Sequence, residues 1–207
     1  MGSDIPKQFL KLEGKPVLQR TIEKFTEAIP GISVVTVLPA PHVETWKTLC
    51  AEYAVDYPQI LVKGGITRFH SVRNALEKIP EGAVVAIHDG VRPLLSVGMI
   101  RAMFAEMEKN RALIPVIPAV DTLRSTDPAL PPPDRSRTVC VQTPQMFLSE
   151  DIKAAYRQAY VTSFTDDASV ADAYGIPLSF FDGEKLNFKI TTPEDLHLAS
   201  AVLSLSR

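Results

Sequence analysis

The side chains best suited to chemistry here are cations with one acid among them. Lys7, Arg68, Arg92 and Lys189, with Arg135 more remotely, would surround Asp89. Such a set suits a phosphate-rich substrate and a metal ion. No pairing of a Ser or Cys nucleophile with a His base stands out. The chemistry implied is phosphoryl or nucleotidyl transfer, driven by positioning and charge neutralisation. A GxxxxGK[ST] sequence is absent, so the chain is not a P-loop enzyme.

The stretch "AIHDGVRP" places Asp89 at the end of an apolar run, followed by Gly90 and Arg92. A carboxylate there can bind Mg²⁺ or sugar hydroxyls, and Arg92 can grip a phosphate through two hydrogen bonds. A plain Asp–Arg pair closing the loop is the simpler alternative. His88 reads as a packed residue at a strand end. In "KGGITRFHSVRNAL", Gly64 and Gly65 stand between a strand and a helix beginning near Arg68, with Ser71 in the first turn. Backbone N–H groups at such a junction favour anionic or acceptor groups, although a tight turn has the same spelling. In "NFKITTPEDL", Lys189 interrupts an apolar strand and needs a partner, either a phosphate or a carboxylate. Thr192, Pro193, Glu194 and Asp195 read as a helix start. "TDDAS" (165–169) reads as a helix cap. Thr122, Thr143 and Gln145 fall near the base of a projecting arm that carries Arg135 and Arg137.

These residues require a scaffold of alternating strands and helices. The patterning predicts helices over 16–28, 41–54, 68–79, 150–160 and 168–174, one capped by Ser96, and one from 193. It predicts strands over 32–38, 59–62, 83–88, 112–118, 178–181 and 187–190. The βα alternation implies an α/β fold of the Rossmann-like type, a mostly parallel sheet covered by helices. Ligands then bind beyond the carboxyl ends of the strands, where Gly64, Gly65 and Asp89 fall. Residues 120–142 break the rhythm. Pro128 and Pro131–Pro133 exclude helix, and segments 121–125 and 137–141 read as the two sides of a hairpin arm.

The 207 residues suggest one domain, 45% apolar, with a net charge of −2. That balance argues against a nucleic-acid partner. The sequence lacks an apolar run long enough to span a membrane and a signal-peptide core. Cys50 and Cys140 read as reduced core thiols, which suggests a cytoplasmic protein.

Taken together, "PKQFLKLEGKPVL" (6–18), "GGITRFHSV" (64–72), "HDGVRP" (88–93), "DT" (121–122), "QTPQMF" (142–147), "TDDAS" (165–169) and "NFKITTPEDL" (187–196) resemble the 2-C-methyl-D-erythritol 4-phosphate cytidylyltransferases of the non-mevalonate isoprenoid pathway. The resemblance runs in order along nearly the whole chain. It implies a nucleotidyltransferase sheet with a β-arm that locks a homodimer. It also implies Mg²⁺-assisted attack of the sugar phosphate on the α-phosphorus of CTP. By the same resemblance, Lys7 and Lys189 neutralise charge at the α-phosphate. Gly64, Gly65 and Ser71 hold cytosine, and Arg68 supports their loop. Asp89 and Arg92 position substrate, with Asp89 near CTP and the metal. Thr122 and Arg135 reach the sugar phosphate of the other protomer, and Thr143 lines that pocket.

The sequence departs from the family pattern in two places. Ile66 stands where relatives often carry an acid. Relatives also begin with a buried strand and a glycine-rich triphosphate loop, whose end coincides here with Met1–Gly2. The expectation is roughly 20 further residues upstream, an apolar strand plus loop. Ribitol 5-phosphate as acceptor, a sugar-nucleotide enzyme using UTP or GTP, and a catalytically impaired dimeric remnant are the competing readings.

Overall fold

A computed structural model describes residues 5–205. In chain order it contains β1 (Lys11–Leu12), β2 (Lys15–Pro16), α1 (Val17–Ala28), β3 (Val34–Leu38), α2 (Val43–Glu52), β4 (Gln59–Lys63), α3 (Arg68–Leu76) and β5 (Val84–Ile87). There follow α4 (Val97–Glu106), β6 (Ala112–Pro118), β7 (Val139–Val141), β8 (Gln145–Leu148), α5 (Ser149–Ala155), α6 (Asp167–Tyr174), β9 (Ser179–Asp182) and α7 (Pro193–Leu205). The expected start of the triphosphate loop, Met1–Gly2, lies outside the described residues.

The helices form where apolar residues recur at helical spacing and where caps satisfy their first N–H groups. Helix α1 buries Leu18, Ile22 and Phe25 along one stripe. The Ser96 hydroxyl accepts from Met99 N–H at the start of α4, as the sequence predicts. Asp166 and Ser169 exchange bonds in a capping box at α6, which bears out the cap reading of "TDDAS". Thr192 accepts from Asp195 N–H, while the Asp195 carboxylate takes the N–H groups of Thr191 and Thr192.

The α/β class holds, but the sheet is mixed rather than mostly parallel. Strands β3 and β4 pair in parallel, as do β6 and β9. Strand β8 runs antiparallel between β5 and β6, and β7 runs antiparallel to the far end of β6. The sequence reading missed β8, because Pro144 and two glutamines mask its apolar pattern. Residues 187–190 were expected to form a strand but join no ladder. One backbone–backbone bond, from Ile190 N–H to Val91 C=O, ties them to the site loop, alongside side-chain contacts. The hairpin arm also needs correction. Segment 121–125 is not a strand, and the arm is irregular up to a short turn at Arg135–Arg137. Consecutive prolines remove the donors that a hairpin ladder needs. Cys140 is exposed on β7 and Cys50 is only partly buried, so neither is a core thiol.

Strands β3 and β5 are the outer strands of two separate sheets. They face each other across a cleft of about 630 Å³, lined by residues 32–39 on one side and 83–90 on the other. Leu18, Ile22 and Phe25 of α1 and Val72 and Leu76 of α3 close its apolar faces. Arg68 follows β4, Asp89 follows β5, and the Asp89 charge acts on Arg68. The carboxyl ends of the strands therefore open on the same side.

Candidate active site

The site gathers around Asp89, just beyond the carboxyl end of β5. Its backbone N–H donates to the Thr143 hydroxyl at 3.1 Å, and Arg92 N–H donates back to its C=O at 3.1 Å. Those bonds fold "DGVR" into a turn that aims the carboxylate between two cations. Asp89 Oδ2 accepts from Arg92 Nε at 3.1 Å and lies 3.2 Å from Lys189 Nζ. Burial would raise the Asp89 pKa, but the charges of Lys189 and then Arg92 outweigh it and hold the group below its ordinary value. Asp89 is thus an ionised carboxylate at neutral pH.

The two cations differ in freedom. Arg92 is mostly buried and also donates from Nη1 to Asn187 C=O at 2.7 Å. Lys189 keeps 41% of its side chain exposed. Its neighbours explain this: Phe188 and Ile190 pack into the cluster formed by Leu12, Val17 and Val91. Extended backbone then turns Lys189 the other way, towards Asp89. Both partners weighed for Lys189 in the sequence remain relevant. The carboxylate is present, and the exposed ammonium still has donors to offer an anion.

His88 sits behind this turn as the packed residue that the sequence suggests. Its ring meets Phe25 at 5.0 Å, Nδ1 lies 3.0 Å from the Thr143 hydroxyl, and Nε2 lies 3.3 Å from Arg92 C=O. Burial lowers its pKa to about 4, so it is neutral in the folded protein. The unfolded chain takes up this proton below about pH 6.5. Stability is therefore present above that pH and is lost as the pH falls through the window down to about 4. The expected loss is on the order of 3 kcal/mol across the window. Urea denaturation at stepped pH measures it, and a flat profile between pH 7 and 4.5 contradicts a neutral, packed His88.

Across the cleft mouth, Gly65 N–H donates to Ser71 Oγ at 3.0 Å, and Ser71 Oγ donates to Thr67 C=O at 2.9 Å. Gly65 lies so close to α3 that a Cβ there would sit 2.4 Å from His70 Cβ. Only glycine fits that position. Arg68 does not contribute a free positive charge as the sequence reading supposes. Its guanidinium grips Asp167 through two hydrogen bonds, at 2.9 and 2.5 Å.

Asp89 touches Arg92, Lys189 and Thr143, and Gly64, Gly65, Arg68 and Ser71 line the same cleft as Asp89. Lys7, Thr122 and Arg135 are not among the residues lining it. Lys7 stands on a one-turn helix, Lys7–Phe9, pinned by Phe9 stacked on Trp46 with centroids 6.0 Å apart. Thr122 is exposed on the arm, where Arg135 Nη1 donates to Val120 C=O at 3.0 Å.

Several residues that build the site gave little sequence signal. Fully buried Asn187 donates to Thr143 C=O at 2.8 Å and offers its own C=O to Arg92. Asp167 looked like part of a cap. Tyr156 falls within the helix expected over 150–160 without further signal, and its hydroxyl donates to Asp167 at 2.5 Å. An uncharged Asn beside Lys189 and a second Asp after the cap are the only written traces.

The chain is similar to known proteins over nearly its whole length. A chain from Porphyromonas gingivalis named 2-C-methyl-D-erythritol 4-phosphate cytidylyltransferase is 46% identical over 207 residues, covering 99% of this chain and 92% of the relative. One of the same name from Bacteroides thetaiotaomicron is 44% identical over 204 residues, covering 98% and 93%. The crystal structure of 4-diphosphocytidyl-2C-methyl-D-erythritol synthase from Anaerococcus prevotii superposes with a TM-score of 0.83 at 26% identity, covering 95% of this chain and 93% of that one. The Thermus thermophilus cytidylyltransferase gives 0.77 at 29% identity, covering 96% and 94%. The 2-C-methyl-D-erythritol 4-phosphate cytidylyltransferase (IspD) family profile matches residues 1–205, and this chain belongs to that family.

Proposed function

We propose that this chain transfers a cytidylyl group from CTP to 2-C-methyl-D-erythritol 4-phosphate. The observation that carries the reading is Asp89 held between Arg92 and Lys189 at the mouth shared with Gly64, Gly65 and Ser71. An oxygen of the sugar phosphate attacks the α-phosphorus of CTP in line. The new O–P bond forms as the bond from the α-phosphorus to the β-phosphate oxygen breaks, and pyrophosphate leaves with that electron pair. Neither a base nor a covalent enzyme intermediate is required, since the nucleophile is already an anion.

Lys189 and Lys7 neutralise charge that builds on the α-phosphate oxygens. Arg92 and Asp89 orient substrate, Thr143 fixes the Asp89 turn, and Gly64, Gly65 and Ser71 hold the base. Among the described residues there is no group of three or more metal-ligating side chains. A Mg²⁺ ion bound through one carboxylate and substrate phosphates needs none, and Asp89 supplies that carboxylate. Held there, such an ion would offset negative charge on the substrate phosphates.

We also propose a homodimer in which Thr122 and Arg135 of one protomer complete the sugar-phosphate pocket of the other. The exposed arm, with its cation outside the cleft, supports that division. The cleft between β3 and β5, flanked by the outer strands of two sheets, is proposed as a seat for an additional apolar strand. Among the described residues no helix is long and apolar enough to cross a membrane. We place the reaction in the cytoplasm.

The names of the relatives favour methylerythritol phosphate over ribitol 5-phosphate as acceptor. Steady-state turnover of CTP with each acceptor, and of UTP and GTP with the preferred one, tests both choices. Preference for CTP and methylerythritol phosphate is expected. Faster turnover of ribitol phosphate contradicts the acceptor assignment.

A further inference from the structure

Arg68 lines the nucleotide cleft, yet both of its terminal nitrogens bond to Asp167. Asp167 is fully buried as the first residue of α6. Its Oδ1 accepts from Arg68 Nη1 at 2.9 Å and from the Tyr156 hydroxyl at 2.5 Å, and its Oδ2 accepts from Arg68 Nη2 at 2.5 Å. We infer that Asp167 and Tyr156 form a positioning pair that fixes Arg68, and through it the Gly64–Gly65 turn, as the surface that selects the nucleobase. The inference rests on the cytidylyl-transfer reading above.

Both ends of this connection are rigid. On the α6 side, the Asp166–Ser169 capping box is reinforced by Gln145, whose Oε1 accepts from Ala168 N–H at 2.7 Å and whose Nε2 donates to Asp166 at 2.8 Å. On the α3 side, Arg68 is the first helical residue, directly after the Thr67 cap. Ser71 ties both Thr67 and Gly65 to that first turn. Gly65 is pressed on His70 with no room for a side chain. The glycine turn, the cap and Arg68 therefore move as one unit, and the fork to Asp167 sets where that unit sits. Burial would lower the Arg68 pKa, but the hydrogen bonds and charge of Asp167 outweigh it, so Arg68 keeps its charge.

Base selection is where such placement is felt. Cytosine presents an amine donor where uracil presents a carbonyl acceptor. Fixed backbone groups at Gly64 and Gly65 can distinguish them only if held to within a fraction of an ångström. Attraction for the triphosphate is common to both nucleotides. The ratio of CTP to UTP affinity therefore isolates positioning from charge, including the extra net positive charge left by Asp167→Asn. A pair that merely clamps α3 to α6 would lower stability and leave that ratio alone.

The test is calorimetric titration of the full chain with CTP and UTP in Mg²⁺, for wild type, Asp167→Asn, Tyr156→Phe and Arg68→Lys, with melting temperatures alongside. Asp167→Asn and Arg68→Lys are expected to cut the CTP-to-UTP preference by at least about tenfold. Tyr156→Phe keeps the ion pair and should cut it by about two- to threefold. If Asp167→Asn does not fold, Arg68→Lys and Tyr156→Phe decide, since they leave the buried carboxylate in place. Variants that melt lower but keep the full preference reduce the pair to a fold clamp and overturn the inference. A wild-type chain with no preference removes the cytidylyl-transfer reading, and the inference with it.

Discussion

Replacing Lys189 with alanine is expected to lower kcat by about 10²- to 10³-fold, with little change in KM for CTP. The reason lies in when the charge appears. In the ground state the Lys189 ammonium already has Asp89 as partner at 3.2 Å, so it adds little to binding. As the acceptor oxygen closes on the α-phosphorus, negative charge builds on the oxygens there, and an exposed ammonium with spare donors answers it. A group used mainly in the transition state alters kcat more than KM. The same variant tests the shared pocket. Lys189→Ala and Arg135→Ala chains, each impaired alone, should regain activity when mixed if the arm of one protomer completes the site of the other. Absence of recovery after subunit exchange contradicts that arrangement. A large rise in KM with kcat unchanged contradicts the role given to Lys189.

The second large effect concerns the cleft between β3 and β5. Five residues of strand span about 17 Å, which matches the five residues of β3 and the four of β5. An apolar strand placed between them would satisfy two rows of backbone groups and bury side chains against Leu18, Phe25, Val72 and Leu76. Each such side chain is worth about 1.5–3 kcal/mol, offset by about 1–2 kcal/mol of backbone ordering per residue. A chain extended ahead of Pro6 by an apolar strand and a glycine-rich turn should melt about 10 °C higher. Its amides in β3 and β5 should gain protection from hydrogen exchange, and its affinity for CTP should rise at least tenfold. The control carries two prolines in the added strand. Equal melting temperatures and equal CTP affinity for extended, control and unextended chains contradict the proposed seat.

What the sequence displays depends on how local each cause is. The caps at Ser96, Asp166 and Thr192 are read correctly because a cap acts within three residues. The strands rich in β-branched residues are likewise visible, because burial on both faces leaves a continuous apolar run. Asp89 is legible because a carboxylate ending such a run needs a purpose. Strand β8 is not, since Gln145 is buried for a distant reason: its amide braces the start of α6. Arg68 reads as a free cation because the carboxylate that neutralises it is Asp167, far along the chain. Asn187 carries no charge and no period, yet it bridges Thr143 and Arg92. Contacts of that kind are set by the fold and leave no pattern in neighbouring residues.

Product analysis is the most direct test of cytidylyl transfer. The protein is incubated with CTP, Mg²⁺ and 2-C-methyl-D-erythritol 4-phosphate, and the mixture is followed by ³¹P NMR. The expected outcome is a new pair of coupled diphosphate resonances together with one equivalent of pyrophosphate, both dependent on the sugar phosphate. CTP that stays intact, or yields CMP and pyrophosphate without the diphosphate product, contradicts it.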